Sequence, residues 1–257
     1  MEFLSCFVKK NGMPEGPSIV ILKEAVQAFK GKRVVTASGN SKKTDFKKLE
    51  GKKIVDFKSW GKHFLICFPG FTLKIHLMMF GSYRINERKE GAAPRLSLTF
   101  SKNTALNFYA CSVSTLNEPL DDIYDWSADV MNPAWDSKAA IEKLKAHPDM
   151  LVCDALLNQE IFAGVGNIIK NEVLFRIKVH PESVLGKSPL PKRRELVKEA
   201  VTYSKQFLVW KKQFTLKKHW LAHTKKICPR DHVPFQKQYL GKTNRRTFFC
   251  TVCQTRY

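Results

Sequence analysis

The chain has 257 residues, 44% of them hydrophobic, enough for one large or two modest cores and too apolar for a disordered chain. Lys and Arg number 44 against 23 Asp and Glu, a formal net charge of +21. That balance points to a polyanionic partner, because neutralising a phosphate backbone releases its condensed counterions. No stretch approaches the ~18 consecutive apolar residues of a membrane span, and residues 1–12 lack the apolar core and cleavage site of a secretory signal. The expected protein is soluble and intracellular, in the cytoplasm or nucleoid if bacterial.

Between positions 203 and 257 thirteen basic residues face one acid, Asp231, which makes the C-terminal fifth the electrostatic anchor. Of seven cysteines, Cys6, Cys67, Cys111 and Cys153 are scattered, while Cys228, Cys250 and Cys253 cluster. An odd, scattered set is no disulfide framework, and the cluster points to metal instead.

Pro17 suits a first helical turn and Gly31 a stop, so residues 18–29 are predicted to form a helix. Segments 53–58, 63–68, 72–77, 95–100 and 105–109 are rich in β-branched and aromatic residues and are separated by Gly, Pro, Asn and Ser. They predict an antiparallel sheet or sandwich. Residues 117–135 read as a linker; helical periodicity then runs from 137 to about 220, with a loop over 180–192. The last thirty residues are basic and β-like, too few to hold a core without a staple. The expected class is α+β, with an N-terminal antiparallel β-sandwich and flanking helix over 14–125, a helical domain over 137–225 and a stapled segment over 226–257.

Four motifs carry chemistry. Met13-Pro14-Glu15-Gly16-Pro17 is a turn-rich entry to the first helix. Gly164-Val165-Gly166-Asn167 joins two helical segments, where a tight turn exposes N–H groups and a side-chain amide at a helix N-terminus, a good phosphate site; a plain packing turn is the alternative. Cys228-x3-His232-x17-Cys250-x2-Cys253 supplies two close donor pairs suited to tetrahedral zinc. For the fourth ligand His232 is chemically the better donor and is favoured, whereas Asp231 has the more usual two-residue spacing and stays open. Finally, Trp60-Gly61-Lys62-His63 opens an apolar strand and His76-Leu77-Met78-Met79-Phe80-Gly81 follows. Taken separately, these two read as a solvated strand end and as packing.

In this order the motifs resemble the formamidopyrimidine-DNA glycosylase and endonuclease VIII family over nearly the whole chain from Met13. The resemblance implies a helix-two-turn-helix domain over 137–225 and a zinc finger over 226–257 with a structural zinc. It implies a monomeric base-excision-repair enzyme, glycosylase and lyase together, acting on double-stranded DNA with a damaged base or abasic site. Pro14 would become the N-terminus and attack C1′ of the damaged nucleotide through its secondary amine. Glu15 would be the general acid/base, and Lys62 would bind the phosphate beside the lesion and support elimination. Asn167 and Arg245 would hold the backbone kinked, and Met79 would fill the gap left by the flipped base.

Departures from the family pattern refine this expectation. Ser18 stands where the family usually has a glutamate, and Cys-x3-His stands where four cysteines are usual. The basic, aromatic stretch 207–223 occupies the place of the glycine-rich loop that covers 8-oxoguanine. Oxidised pyrimidines are therefore the favoured lesions. Residues 1–13 make the Pro14 nitrogen a tertiary amide, so imine chemistry requires their absence, either by a start at Met13 or by processing. The rival reading is a DNA-binding zinc protein of the same fold with Pro14 blocked.

Overall fold

The computed structural model describes residues 14–42 and 44–257. Cys6 and the extension over 1–13 lie outside the described residues. The chain divides into two compact units between Tyr124 and Asp125.

Unit one begins with α1 (Gly16–Ala25) and continues through eight strands: β1 (Thr36–Ser38), β2 (Asp56–Trp60), β3 (His63–Phe68), β4 (Phe71–His76), β5 (Ser82–Ile85), β6 (Leu96–Ser101), β7 (Thr104–Tyr109) and β8 (Ser112–Leu116). They form two four-stranded antiparallel sheets, in the orders β1-β6-β7-β5 and β2-β3-β4-β8. Alternate residues of each sheet turn into one shared core, with Phe64, Ile66, Leu73 and Ile75 from one and Leu96, Leu98 and Phe108 from the other. The Phe64 and Phe108 rings meet at 5.9 Å between centroids. Ile19 and Leu22 of α1 and its C-cap Val26 join the same core, and their i, i+3, i+7 spacing favours a helix here. Pro17 lies in the first turn, and Ser18 Oγ accepts from the Glu15 N–H at 3.4 Å, closing one orphan donor. A short helix, α2 (Leu120–Ile123), lies within the segment read as linker.

Unit two contains α3 (Ser137–Lys145), α4 (Val152–Leu157), α5 (Asn167–Arg176), α6 (Leu190–Lys212) and an antiparallel hairpin of β9 (Gln236–Leu240) and β10 (Arg245–Phe249). Asp136 caps α3 by accepting from the Lys138 and Ala139 N–H groups. The centre of the unit is α5, whose residues from Ile168 to Phe175 are all buried. It packs on α4, α6 and β10. Among the described residues no helix is long and apolar enough to cross a membrane.

Candidate functional site

In unit one α1, which Pro14 and Glu15 precede, packs on β2 and β3, the strands that flank Lys62. Pro14 is half-buried and Glu15, the N-cap of α1, is 1% exposed, so the carboxylate belongs to the interior and not to a solvated helix end. Lys62 lies in the two-residue turn between Trp60 and His63, the last paired residues of β2 and β3. Gly61 has φ +52°, a conformation that favours glycine and lets so short a turn close.

Behind Lys62 lies a half-buried ring cluster. His63 is paired in register with His76, their rings meet edge to face at 5.6 Å, and His63 Nδ1 is 3.2 Å from the Tyr124 hydroxyl. Trp60 packs on Tyr124 at 4.9 Å. Burial, reinforced by Lys74, His76 and Lys62, lowers His63 to about 4, and burial with Lys62 and Lys74 also lowers His76. Both rings are neutral at pH 7, which leaves the local positive charge to the lysines.

Beyond His76 the chain makes a tight turn in which the Gly81 N–H donates to the Leu77 carbonyl at 3.0 Å. A Cβ at Gly81 would run into that carbonyl. The turn presents Met78, Met79 and Phe80 to solvent, with Phe80 81% exposed. Three consecutive exposed apolar side chains on one tip are more than folding requires and mark an interaction site.

In unit two Asn167 is the first residue of α5, preceded by Gly166 as N-cap and by Gly164 at φ +98°. Its Nδ2 donates to the Arg246 carbonyl at 2.9 Å. Further along the helix, Lys170 Nζ donates to Thr247 Oγ1 at 2.7 Å, and Asn171 Oδ1 accepts from the Phe248 N–H at 3.3 Å. One face of α5 thus holds β10, which starts with the exposed Arg245. Arg230 closes the other end of the helix, stacking over Phe175 at 4.0 Å and donating to the Phe175 and Arg176 carbonyls. These are carbonyls that a helix C-terminus leaves without partners.

The 207–223 stretch is no loose loop. Trp210 stacks on His219 at 4.2 Å, and the Glu172 carboxylate accepts from the Leu221, Ala222 and His223 N–H groups at 2.7 to 3.1 Å.

The cysteine cluster forms with one change from expectation. Ligand atoms of Cys228, Asp231, Cys250 and Cys253 lie within 4.8 Å of one another. Asp231, and not the favoured His232, joins the three thiols: its Oδ2 accepts from Cys228 Sγ at 3.4 Å and Cys250 Sγ at 3.2 Å. The cause is the turn. The Arg230 N–H donates back to Cys228 Sγ at 3.4 Å and the His232 N–H to the Cys228 carbonyl at 3.0 Å. His232 itself sits at φ +57°, one residue past the position facing the thiols. Burial, with the crowding of Asp231, Cys250 and Cys228, pushes the Cys253 thiol up to about 12. A dication would displace the thiol protons, and three thiolates with a carboxylate are a donor set that zinc accepts.

The sequence reading missed the Lys170, Asn171 and Glu172 grip, since consecutive polar residues inside a helix look like a solvated face. Trp60, His63, His76 and Phe80 stood in motifs read as a strand end and as packing, so neither the ring cluster nor the exposure of Phe80 was foreseen. The available signal for the cluster was the aromatic and the histidine that flank the Gly61-Lys62 turn.

Residues 13–111 match the formamidopyrimidine-DNA glycosylase N-terminal domain and residues 127–205 its H2TH domain. Endonuclease 8-like 2 of Bos taurus is 29% identical over 95% of this chain and 96% of its own length. The Mus musculus Endonuclease 8-like 2 is 33% identical over 71% of this chain and 57% of its own length, and Endonuclease 8-like 3 of that species is 30% identical over 76% and 33%. The chain thus spans about half and a third of those two mouse proteins. In fold it is similar to the Lactococcus lactis formamidopyrimidine-DNA glycosylase bound to DNA containing an abasic site, with TM-score 0.81 and 21% identity over 94% of this chain and all of that one. A viral DNA glycosylase gives TM-score 0.78 at 20% identity over the same shares. With both domain models matched in order over most of its length, the chain belongs to the formamidopyrimidine-DNA glycosylase and endonuclease VIII family.

Proposed function

We propose that this chain, a DNA glycosylase by family, excises oxidised bases, pyrimidines in preference, and then cuts the strand through an imine on Pro14. The observation that carries the reading is the end of α1, where Pro14 precedes a carboxylate that is 1% exposed and the helix packs on the hairpin bearing Lys62. A free Pro14 secondary amine attacks C1′, the N-glycosidic bond breaks, and the base leaves with its electron pair and takes up the proton that the amine nitrogen gives up. Glu15 donates the proton that opens the sugar ring, giving an iminium on Pro14. The iminium acidifies the C2′ hydrogen; loss of that proton expels the 3′ phosphate, whose charge Lys62 offsets. A terminal amine ionises at about 7.7 to 8.0, so part of it is unprotonated at neutral pH.

Double-stranded DNA with a damaged base or abasic site is the partner, held by a monomer inside the cell. Asn167 has a second Nδ2 hydrogen beyond the one given to Arg246, and that hydrogen and the Arg245 guanidinium donate to backbone phosphates. Met79, with Met78 and Phe80 beside it, fills the space of the extruded base. Cys228, Cys250, Cys253 and Asp231 hold a structural zinc, which cross-links a segment too small to fold on its own core.

Borohydride trapping tests the reading. Protein beginning at Pro14 should form a covalent adduct with duplex DNA carrying an oxidised pyrimidine, and Pro14→Gly should trap far less while still binding an abasic-site analogue. Undiminished trapping by Pro14→Gly, which keeps a terminal primary amine, is assigned to that amine or to Lys62 by mapping the trapped peptide, and an adduct on Lys62 would overturn the reading. Binding without any adduct would leave a DNA-binding protein of this fold.

A further inference from the structure

A groove of about 630 Å³, lined by none of these residues, lies between α3 and α6 on unit two. Its floor is apolar, made by Trp135, Ile141, Leu190, Val197 and Val201. Its rim is basic: Lys138, Lys145, Arg194 and Lys198 are exposed around it. The acid of this lining, Glu142, is already bound by Lys145 Nζ at 2.8 Å.

We propose that this groove is a docking site for an acidic amphipathic helix of a partner protein. Its volume lies in the range of specific small sites, ~300–1,000 Å³, and accommodates the apolar anchors that a helix presents at i, i+3 or i+4, and i+7. With Lys145 held by Glu142, the other rim cations, Lys138, Arg194 and Lys198, select acidic flanks on that helix. Duplex DNA would satisfy the cations and leave the floor empty, having no apolar side chain to enter it. A second copy of this chain is disfavoured by its own net charge of +21.

The test uses the full chain and a fluorescein-labelled peptide about five turns long, with Leu on one helical face and Glu elsewhere. A scrambled peptide of identical composition has no face. Anisotropy should show saturable binding of the amphipathic peptide and at least roughly tenfold weaker binding of the scrambled one. Ile141→Asp should abolish the difference between them. Arg194→Glu with Lys198→Glu, both exposed and therefore safe for the fold, should weaken the amphipathic peptide on the order of tenfold. Equal affinity of the two peptides, no binding, or indifference to the charge reversal overturns the proposal. If the reversal weakens duplex DNA as much as it weakens the peptide, the groove is part of the nucleic-acid surface instead.

Discussion

Asn167 donates through Nδ2 to the carbonyl oxygen of Arg246 at 2.9 Å, which ties the first residue of α5 to the residue beside Arg245. The two groups proposed to contact phosphate, Asn167 and Arg245, are thereby tied together by the polar contacts between α5 and β10. Arg245→Ala should lower affinity for any duplex and reduce the salt slope by about one. Asn167→Ala removes a donor and also loosens β10, so the double variant should lose less than the sum of the single losses. Additive losses by titration at several salt concentrations would show that the two act independently.

Met79→Ala should leave the salt slope unchanged and slow base removal, because an inserted apolar side chain contributes no counterion release. Phe80→Ala should act in the same direction, given an 81% exposed ring on the same turn. Single-turnover rates and salt titrations on one preparation separate the two effects; a changed salt slope with an unchanged rate would remove both residues from this role.

Cys250→Ser should release zinc, melt the C-terminal hairpin and collapse DNA affinity, since Arg245 depends on β10 for its position. Metal analysis of the purified protein and of Asp231→Ala and His232→Ala decides the fourth donor. Asp231→Ala should lower zinc retention more than His232→Ala, following the 3.2 and 3.4 Å approaches to the thiols. The reverse order would return the position to His232.

Much of this was legible in the sequence, and the gaps have physical causes. The segment read as a strand over 63–68 matches β3 because its buried residues outnumber its polar ones. β1, β5 and β8 escaped because three to five partly polar residues acquire strand character only from their neighbours. The cysteines were legible because thiols at such spacing have few other uses. The fourth donor was not, since chemical preference argued for His232 while a left-handed turn, invisible in the sequence, aims Asp231 at the thiols. Lys170, Asn171 and Glu172 were given no role in the sequence reading, and only the packing of α5 under β10 and the 221–223 backbone gives them partners.

Acid should destabilise the fold through two histidines. Burial, with Lys170 and Arg246 nearby, lowers His223 to about 4, as burial does for His63. Both are neutral when folded and take up a proton more readily when unfolded, where the ordinary value is 6.5. Stability is therefore full above about 6.5 and falls as pH drops toward 4. The loss is on the order of 2–3 kcal/mol for His223 and less for the half-buried His63. Thermal unfolding should shift down steadily from pH 7 to 5, and the two ring resonances should not titrate above about pH 5. Ring titration near 6.5 would contradict the burial argument.

The requirement for a free amine makes the segment before Pro14 decisive. An amide nitrogen has no lone pair available for attack on C1′, whereas the groups proposed for phosphate contact, Asn167 and Arg245, owe nothing to the terminus. Protein whose residues 1–13 are irreversibly retained should bind duplex DNA containing an oxidised pyrimidine as tightly as protein starting at Pro14, yet give no borohydride-trapped adduct through Pro14. Protein started at Met13 should lose that methionine, because the adjacent proline is small, and should then cleave. Intact mass before and after each assay guards against traces of processed chain, which would mimic activity. Full turnover and trapping by chain verified to retain residues 1–13 would defeat the proline mechanism and place the imine on Lys62, the lysine in the β2–β3 turn.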